Sequence, residues 1–502
     1  MIDGLFSNLA LGFSVAGSWD NLLFCFIGAM LGTLIGVLPG IGPLATVAML
    51  LPITFSLPPE GALIMLAGIF YGAQYGGSTT SILINVPGES SSVVTALDGH
   101  AMAKQGRAGS ALAIAAIGSF FAGCVSTVAI ALFGPPLASV AQKFGAAEYF
   151  SLMLFGLVGA VVLASGSVIK AVAMIVLGLL LGLVGLDVTS GHGRFTFGIP
   201  ELSDGIGFVT VALGLFGIAE IMTNLERAHR EGRDEIAPVH SLMPTRQDMW
   251  ESWPAILRGT AVGTFLGILP GGGAVLASFS SYALEKKIAR DPSRFGKGAI
   301  EGVAGPESAN NAAAQASFIP LLTLGIPSNA VMALMIGAMM IQGITPGPQV
   351  MVKQPGLFWG MIASMWIGNL MLVIINLPLV GMWIRLLRVP YEMMFPAIII
   401  FCAIGIYSLN NSTTDVLFTA GFGVIGYLFV KLGFEAAPLL LGFVLGPLME
   451  ENLRRAMVIS RGDPMTFIDR PISFGLLLAS LAMLALVIAP NVRRKREEAF
   501  QE

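Results

Sequence analysis

Two stretches of this chain set short polar side chains into apolar surroundings. The first, GGSTTSILINVPGESSS at 76–92, carries Ser78, Thr79, Thr80, Asn85, Ser90 and Ser91 beside Gly88. The second, PESANNAAAQASFIPLLTLGIPSNA at 306–330, carries Ser308, Asn310, Asn311, Thr323, Ser328 and Asn329. Hydroxyl and amide arms of this length both donate and accept hydrogen bonds. They suit a small anion or a dehydrated cation, and they can equally join one helix to another. Each stretch also holds an acid, Glu89 after the Val86-Pro87-Gly88 break and Glu307 after Pro306. A carboxylate in apolar surroundings is costly unless something compensates it. The two acids are therefore candidates for carrying a proton or sodium; the alternative is a helix-end charge in a wet loop.

A second kind of motif carries backbone chemistry. LPGIGP at 38–43 and LPGGGA at 269–274 join Pro to Gly40, Gly42, Gly271, Gly272 and Gly273. Proline removes a donor and disrupts a helix interior, and glycine reaches positive φ without steric cost. Such a break frees N–H and C=O groups. A carboxylate can take the N–H groups at a half-helix N-terminus, and a cation can take the carbonyls. The structural alternative is a kink for close packing. No Lys or Arg stands out as a carboxylate clamp, since Lys170 and Arg258 fall near span ends and can snorkel. Asp98 falls at the edge of a basic loop.

Enzyme motifs are not seen. Cys25, Cys124 and Cys402 lie far apart in apolar runs and read as core residues. The histidines show no ligand spacing, and there is no P-loop lysine or Ser-His-Asp arrangement. No cofactor is expected; without a nucleotide site, any transport must run on an ion gradient or the membrane potential, with sodium or protons as the candidate coupling ions.

The elements that position these groups are membrane helices. Of 502 residues, 55% are hydrophobic and 11% charged, and mean hydropathy is +0.81. A soluble domain carries about 25% charged residues, so lipid must cover most of this surface. With a net charge of −3, nucleic acid is not a partner. Apolar stretches near the ~20 residues of a bilayer span recur throughout. Several, such as 20–52 and 311–343, are too long or broken for one helix. The expectation is an all-α polytopic membrane protein with about 11–12 crossings plus re-entrant or broken helices. Lys and Arg first appear at Lys104 and Arg107, then at 227–246, 286–297, Arg385, Arg388 and the tail. The positive-inside rule makes these loops cytoplasmic. The N-terminus is then periplasmic and the C-terminus cytoplasmic, in a bacterial inner membrane.

The chain also repeats. Residues 19–42 align without a gap on 250–273, sharing Trp19/Trp250, Gly28/Gly259, Gly32/Gly263, Gly36/Gly267 and the LPG break, at an offset of 231. Val86-Pro87 meets Ile326-Pro327 at an offset of 240, and Gln105-Gly106 meets Gln342-Gly343 at 237. The expected organisation is a first repeat at 1–225, a cytoplasmic connector at 226–249, and a second repeat at 250–502 with extra C-terminal spans. The basic loop follows the second element in one half and the first element in the other, which predicts an inverted repeat. Paired Gly/Pro-interrupted segments in such halves point to a binding site between them.

These motifs, GTLIGVLPGIGP with GTFLGILPGGGA and the two polar stretches, resemble the large membrane subunit of the tripartite tricarboxylate transporters. The resemblance covers nearly the whole chain. It implies a secondary transporter importing a citrate-like carboxylate. It also implies two partners: a small membrane subunit of about four spans, and a periplasmic solute-binding protein. The rival readings are a channel or exporter for organic anions of the same architecture and, further off, a membrane-embedded enzyme.

Overall fold

The computed structural model describes residues 2–163, 167–187, 190–230, 239, 241–269, 273–389 and 391–488. Among these, helices dominate, and the one sheet is a short ribbon pairing Gly185–Leu186 with Gly193–Arg194. Six helical segments are long and apolar enough to cross a membrane, among them Trp19–Gly36, Pro355–Asn376 and Thr413–Lys431, and shorter apolar helices accompany them. The protein is thus an all-α polytopic membrane protein. Met393–Asn410 and Thr413–Lys431 are only 11% and 17% buried, so they form part of the lipid-facing rim.

The overlong stretches resolve into broken helices. The 20–52 stretch is Trp19–Gly36, a turn, and then Pro43–Leu50 running into a 3-10 turn. The 311–343 stretch comprises the end of Glu301–Ala316, then Phe318–Leu324 and Ala330–Ile341. Glycine spacing explains the packing. Gly28, Gly32 and Gly36 lie on one stripe of the Trp19–Gly36 helix. A Cβ on them would come within 2.3, 2.3 and 2.4 Å of the carbonyls of Met65, Ile69 and Ala73 on the Pro59–Ile84 helix. In the second half Gly259, Gly263 and Gly267 of Arg246–Ile268 approach Gly305, Ala309 and Ala313 of Glu301–Ala316 at 2.2, 2.2 and 2.5 Å. Only bare backbone lets the helices approach so closely, which in lipid supplies the association energy that hydrophobicity cannot. The repeat seen in the sequence is therefore repeated as packing. Trp19 and Trp250, which open the paired helices, are 81% and 82% exposed, as suits anchors at a membrane surface.

Pro59–Ile84 and Glu301–Ala316 are equivalent at the 240 offset, and they cross antiparallel: Gln74 meets Asn310 and Ser78 meets Glu307. That is the relation an inverted repeat requires. The chain enters the first helix from the Thr54–Leu57 loop and the second from the loop around Lys297, so these loops lie at opposite ends. The basic segments gather at the second end. Arg107 pairs with Asp248 at 2.6 Å, Arg294 with Glu251 at 3.0 Å, and Gln105 bonds the Lys297 carbonyl at 2.8 Å. At the other end Gln342 reaches the carbonyls of Thr54 and Leu57.

Three single-residue expectations change. Arg258 does not snorkel alone; it grips Glu285 with two bonds of 2.8 and 2.6 Å, tying the two arms of the second hairpin together. Lys170 donates to the carbonyl of Leu432 at 2.6 Å and lies over the Phe434 ring, so it caps a helix end. Asp98 is not at a loop edge but fully buried. One of its oxygens accepts the N–H groups of Gly296, Gly298 and Ala299, and the other accepts the Tyr282 hydroxyl. It fastens the Lys297 loop onto the first half. The 231–238 part of the connector, and the basic tail from Arg493, lie outside the described residues.

Candidate functional site

Each half folds two breaks against one another. In the first, the Trp19–Gly36 helix ends at Val37 and Gly40 turns the chain at φ 78°. A side chain on Gly40 would strike the Asn224 amide at 2.4 Å. Gly42 is then the extended N-cap of Pro43–Leu50 and offers no side chain to its N–H groups. A Cβ there would sit 3.5 Å from the Gly88 carbonyl and 3.9 Å from Glu89 Cβ, so the first break touches the second. In the second half Pro270, Gly271 and Gly272 lie outside the described residues. Gly273, at φ 46°, opens the Gly273–Ile288 helix and faces Asn329 Cβ.

The second breaks also match residue for residue. Asn85 and Gly325 both end a helix in the left-handed region, at φ 55° and 72°. Glu89 and Asn329 both restart one as extended N-caps. Asn329 accepts the Met332 N–H at 3.0 Å. The Glu89 N–H donates to Ser92 Oγ at 3.3 Å, and Ser92 returns its hydroxyl to the Glu89 carbonyl. The breaks interlock across the halves: Gly273–Ile288 packs on the Ser90–Ser92 turn, and Pro43–Leu50 packs on Ala330–Ile341.

Both acids sit where the halves cross. Glu307 is 1% exposed. Its carboxylate accepts the Ser78 hydroxyl at 2.6 Å and the Thr95 hydroxyl at 2.5 Å. Half-buried Glu89 accepts the Asn310 amide at 2.7 Å, and Gln74 donates to that same amide's oxygen at 3.4 Å. Asn311 donates to Ser119 at 2.7 Å and to the Glu307 carbonyl. Among the described residues neither carboxylate is paired with Lys or Arg. The wet-loop alternative thus fails for Glu307. Beside it lies a cavity of ≈ 20 Å³, about the size of one water.

The named polar residues divide. Ser78, Thr79, Asn310, Asn311, Glu89 and Glu307 converge on the crossing, and Ser91 is buried in the turn beside it. Asn85 and Ser90 are exposed. Thr80, Ser308 and Thr323 spend their hydroxyls on carbonyls of their own helices, and Ser328 donates to Ser317. Thr79 likewise donates to the Tyr75 carbonyl of its own helix, at 3.1 Å. Gln74, Tyr75, Thr95, Ser119, Asn224 and Asn376 were not singled out from the sequence. Only Gln74 and Tyr75 had a signal there, as the polar members of YGAQYGG at 71–77.

Duplicated, broken membrane helices closing on buried carboxylates and short polar arms define a class, the polytopic membrane transport proteins. The comparisons with known proteins narrow it. The sequence model of the tripartite tricarboxylate transporter TctA family matches residues 22–441. An uncharacterised 52.8 kDa protein from the TAR-I ttuC' 3' region of Agrobacterium vitis is 60% identical over 499 residues, 99% of each chain. A protein from the TAR-II ttuC' 3' region of the same organism is 61% identical over 240 residues, 48% of this chain and 99% of its own. No solved structure matches. The chain belongs to the tripartite tricarboxylate transporter TctA family, whose members are large membrane subunits working with other subunits.

Proposed function

We propose that this chain is the permease subunit of a secondary importer for a citrate-like carboxylate. A periplasmic solute-binding protein delivers the substrate, and a small membrane subunit completes the assembly in a bacterial inner membrane. The carboxylate groups of the substrate sit on backbone N–H groups at the helix N-termini opened by Gly42, Glu89, Gly273 and Asn329, with short polar side chains beside them. Each such terminus presents roughly half a positive charge. Co-transported sodium or protons supply the remaining positive charge, held by Glu89 and Glu307.

One observation carries this reading: the antiparallel crossing brings both acids and polar side chains of both halves to one place, and among the described residues no Lys or Arg pairs with either acid. A multiply charged anion entering there needs cations that the chain does not itself supply. The basic end, with Arg107, Arg294 and Lys297, is cytoplasmic in this reading, and the N-terminus is periplasmic. The test is uptake of labelled carboxylates into proteoliposomes holding both membrane subunits. Uptake should require the binding protein and a sodium or proton gradient. Full-rate uptake without either gradient would overturn the secondary-transport mechanism.

A further inference from the structure

Polar groups line one part of the cavity beside Glu307, and Ile82, Leu112, Ala115, Ala116 and Leu377 line the rest. Glu307, Ser78, Thr79 and Ser119 border it, together with Tyr75 and Asn376. The last two stand out because each leaves a buried polar atom without a partner. Among the described residues the Tyr75 hydroxyl and Asn376 Oδ1 find no hydrogen-bond partner, although the residues are only 5% and 7% exposed. An orphaned polar atom at such depth costs on the order of 1–3 kcal/mol, so it calls for an occupant. The orientation of the amide is settled by its other end. Asn376 Nδ2 donates to the Leu372 carbonyl at 2.9 Å, which leaves Oδ1, an acceptor, as the unpartnered end of a residue that borders the cavity. Asn376 is also the last residue of the Pro355–Asn376 helix, and Leu377 borders the same cavity. The C-terminal end of that helix, which carries the negative end of its dipole, therefore lies beside the cavity.

The occupant these features select carries positive charge. A carboxylate bonded only by two hydroxyls, an amide oxygen, a phenol oxygen and a helix C-terminus form a donor set of hard oxygens. No nitrogen or sulfur donor is needed, and one negative charge faces the space. Its size, ≈ 20 Å³, is of the order of one water or one small dehydrated ion. We propose that this cavity is a binding site for a single alkali cation of sodium's size, with Glu307, Tyr75 and Asn376 as its distinguishing ligands. The site is separate from the helix N-termini assigned to the carboxylate. It joins four elements, Pro59–Ile84, Ala108–Ala141, Glu301–Ala316 and Pro355–Asn376, so its occupancy bears on whether the crossing stays closed.

Only the role of this ion in coupling rests on the transport reading; its binding is measurable alone. The experiment is thermal unfolding of the purified full chain in lipid nanodiscs, at fixed pH and ionic strength, with NaCl replacing choline chloride. A saturable rise in Tm with sodium is expected, with little from potassium. Glu307→Gln should abolish it, and Asn376→Ala should raise the half-saturating sodium at least tenfold. Asn376→Asp, which keeps an oxygen, should still respond to sodium. Asn369→Ala is the control: this buried asparagine of the same helix also has an unpartnered Oδ1, but it does not border the cavity. If wild type gains nothing from sodium, the cavity holds water only and the proposal falls. It falls too if the rise survives both Glu307→Gln and Asn376→Ala. Sodium binding with gradient-independent uptake would instead retain the site and overturn the coupling.

Discussion

Gln105 and Gln342 make the same contact from opposite halves. The Gln105 amide donates to the Lys297 carbonyl at 2.8 Å, on the loop after the second half's hairpin. The Gln342 amide donates to the carbonyls of Thr54 and Leu57 at 3.3 and 3.5 Å, on the loop after the first half's hairpin. Reciprocal contacts of this kind are the mark of a two-fold relation. With the crossing helices antiparallel, the two glutamines fasten opposite ends of the protein.

Cysteine labelling can test that arrangement. Lys104→Cys and Arg290→Cys should react with an impermeant thiol reagent from one face, and Leu57→Cys and Gly343→Cys from the other. In the reading proposed above the first face is the cytoplasmic one. Labelling of all four positions from a single face would refute the inverted arrangement.

The glycine seams should be intolerant of any side chain. Gly32→Ala and Gly263→Ala each drive a Cβ to 2.3 or 2.2 Å from a backbone carbonyl, which cannot swing aside. Overpacking costs about 1–3 kcal/mol or more. A lowered Tm and a reduced yield of folded protein are expected for both. Gly381→Ala, which would meet nothing within 4 Å, is the matched control and should behave as wild type.

At the first break the defect should be functional. Gly40→Ala meets two obstacles, positive φ at 78° and the Asn224 amide. Removing the second with Asn224→Ala should not restore transport, because the left-handed conformation still costs the alanine roughly 1–2 kcal/mol. Reconstituted uptake by Gly40→Ala and by the double variant should both fall severely while the protein still inserts. Rescue by Asn224→Ala would show that crowding, not backbone geometry, is the constraint. The equivalent position, Gly271, is expected to be as sensitive to valine.

The two acids should separate ion dependence from substrate recognition. Glu89→Gln keeps an oxygen for the Asn310 amide, and Glu307→Gln keeps one for Ser78 or Thr95, so each variant should fold. Each should weaken the sodium or proton dependence of uptake more than it weakens carboxylate binding. Unchanged ion dependence in both would place coupling elsewhere.

Backbone features were the legible part of this protein. Gly40 and Gly273 need positive φ, and the seam glycines need bare backbone, so their identity and spacing record geometry directly. The polar cluster was legible only by neighbourhood. Glu307 and Ser308 are adjacent, yet one carboxylate faces the crossing while the other's hydroxyl bonds back to Ala304. Thr79 borders the cavity and Thr323 does not, although composition treats them alike. Telling them apart needs the rotation of each helix against its neighbours. Thr95 and Asn376 were out of reach for a different reason. They come to Glu307 from other helices, through packing that no local pattern encodes.

The two-fold relation governs the backbone but not the charge. Where one half restarts its helix on Glu89, the other uses neutral Asn329. Where the second crossing helix carries Glu307, the first has Ala67 at the 240 offset. Two identical copies turned end over end would make the conformations that exchange their roles degenerate in free energy. Here ionisable groups weight the two copies unequally, so that degeneracy is lifted. In the transport reading proposed above, the empty protein then has a preferred resting state, and ligands that neutralise Glu89 and Glu307 would set how far the populations move from it.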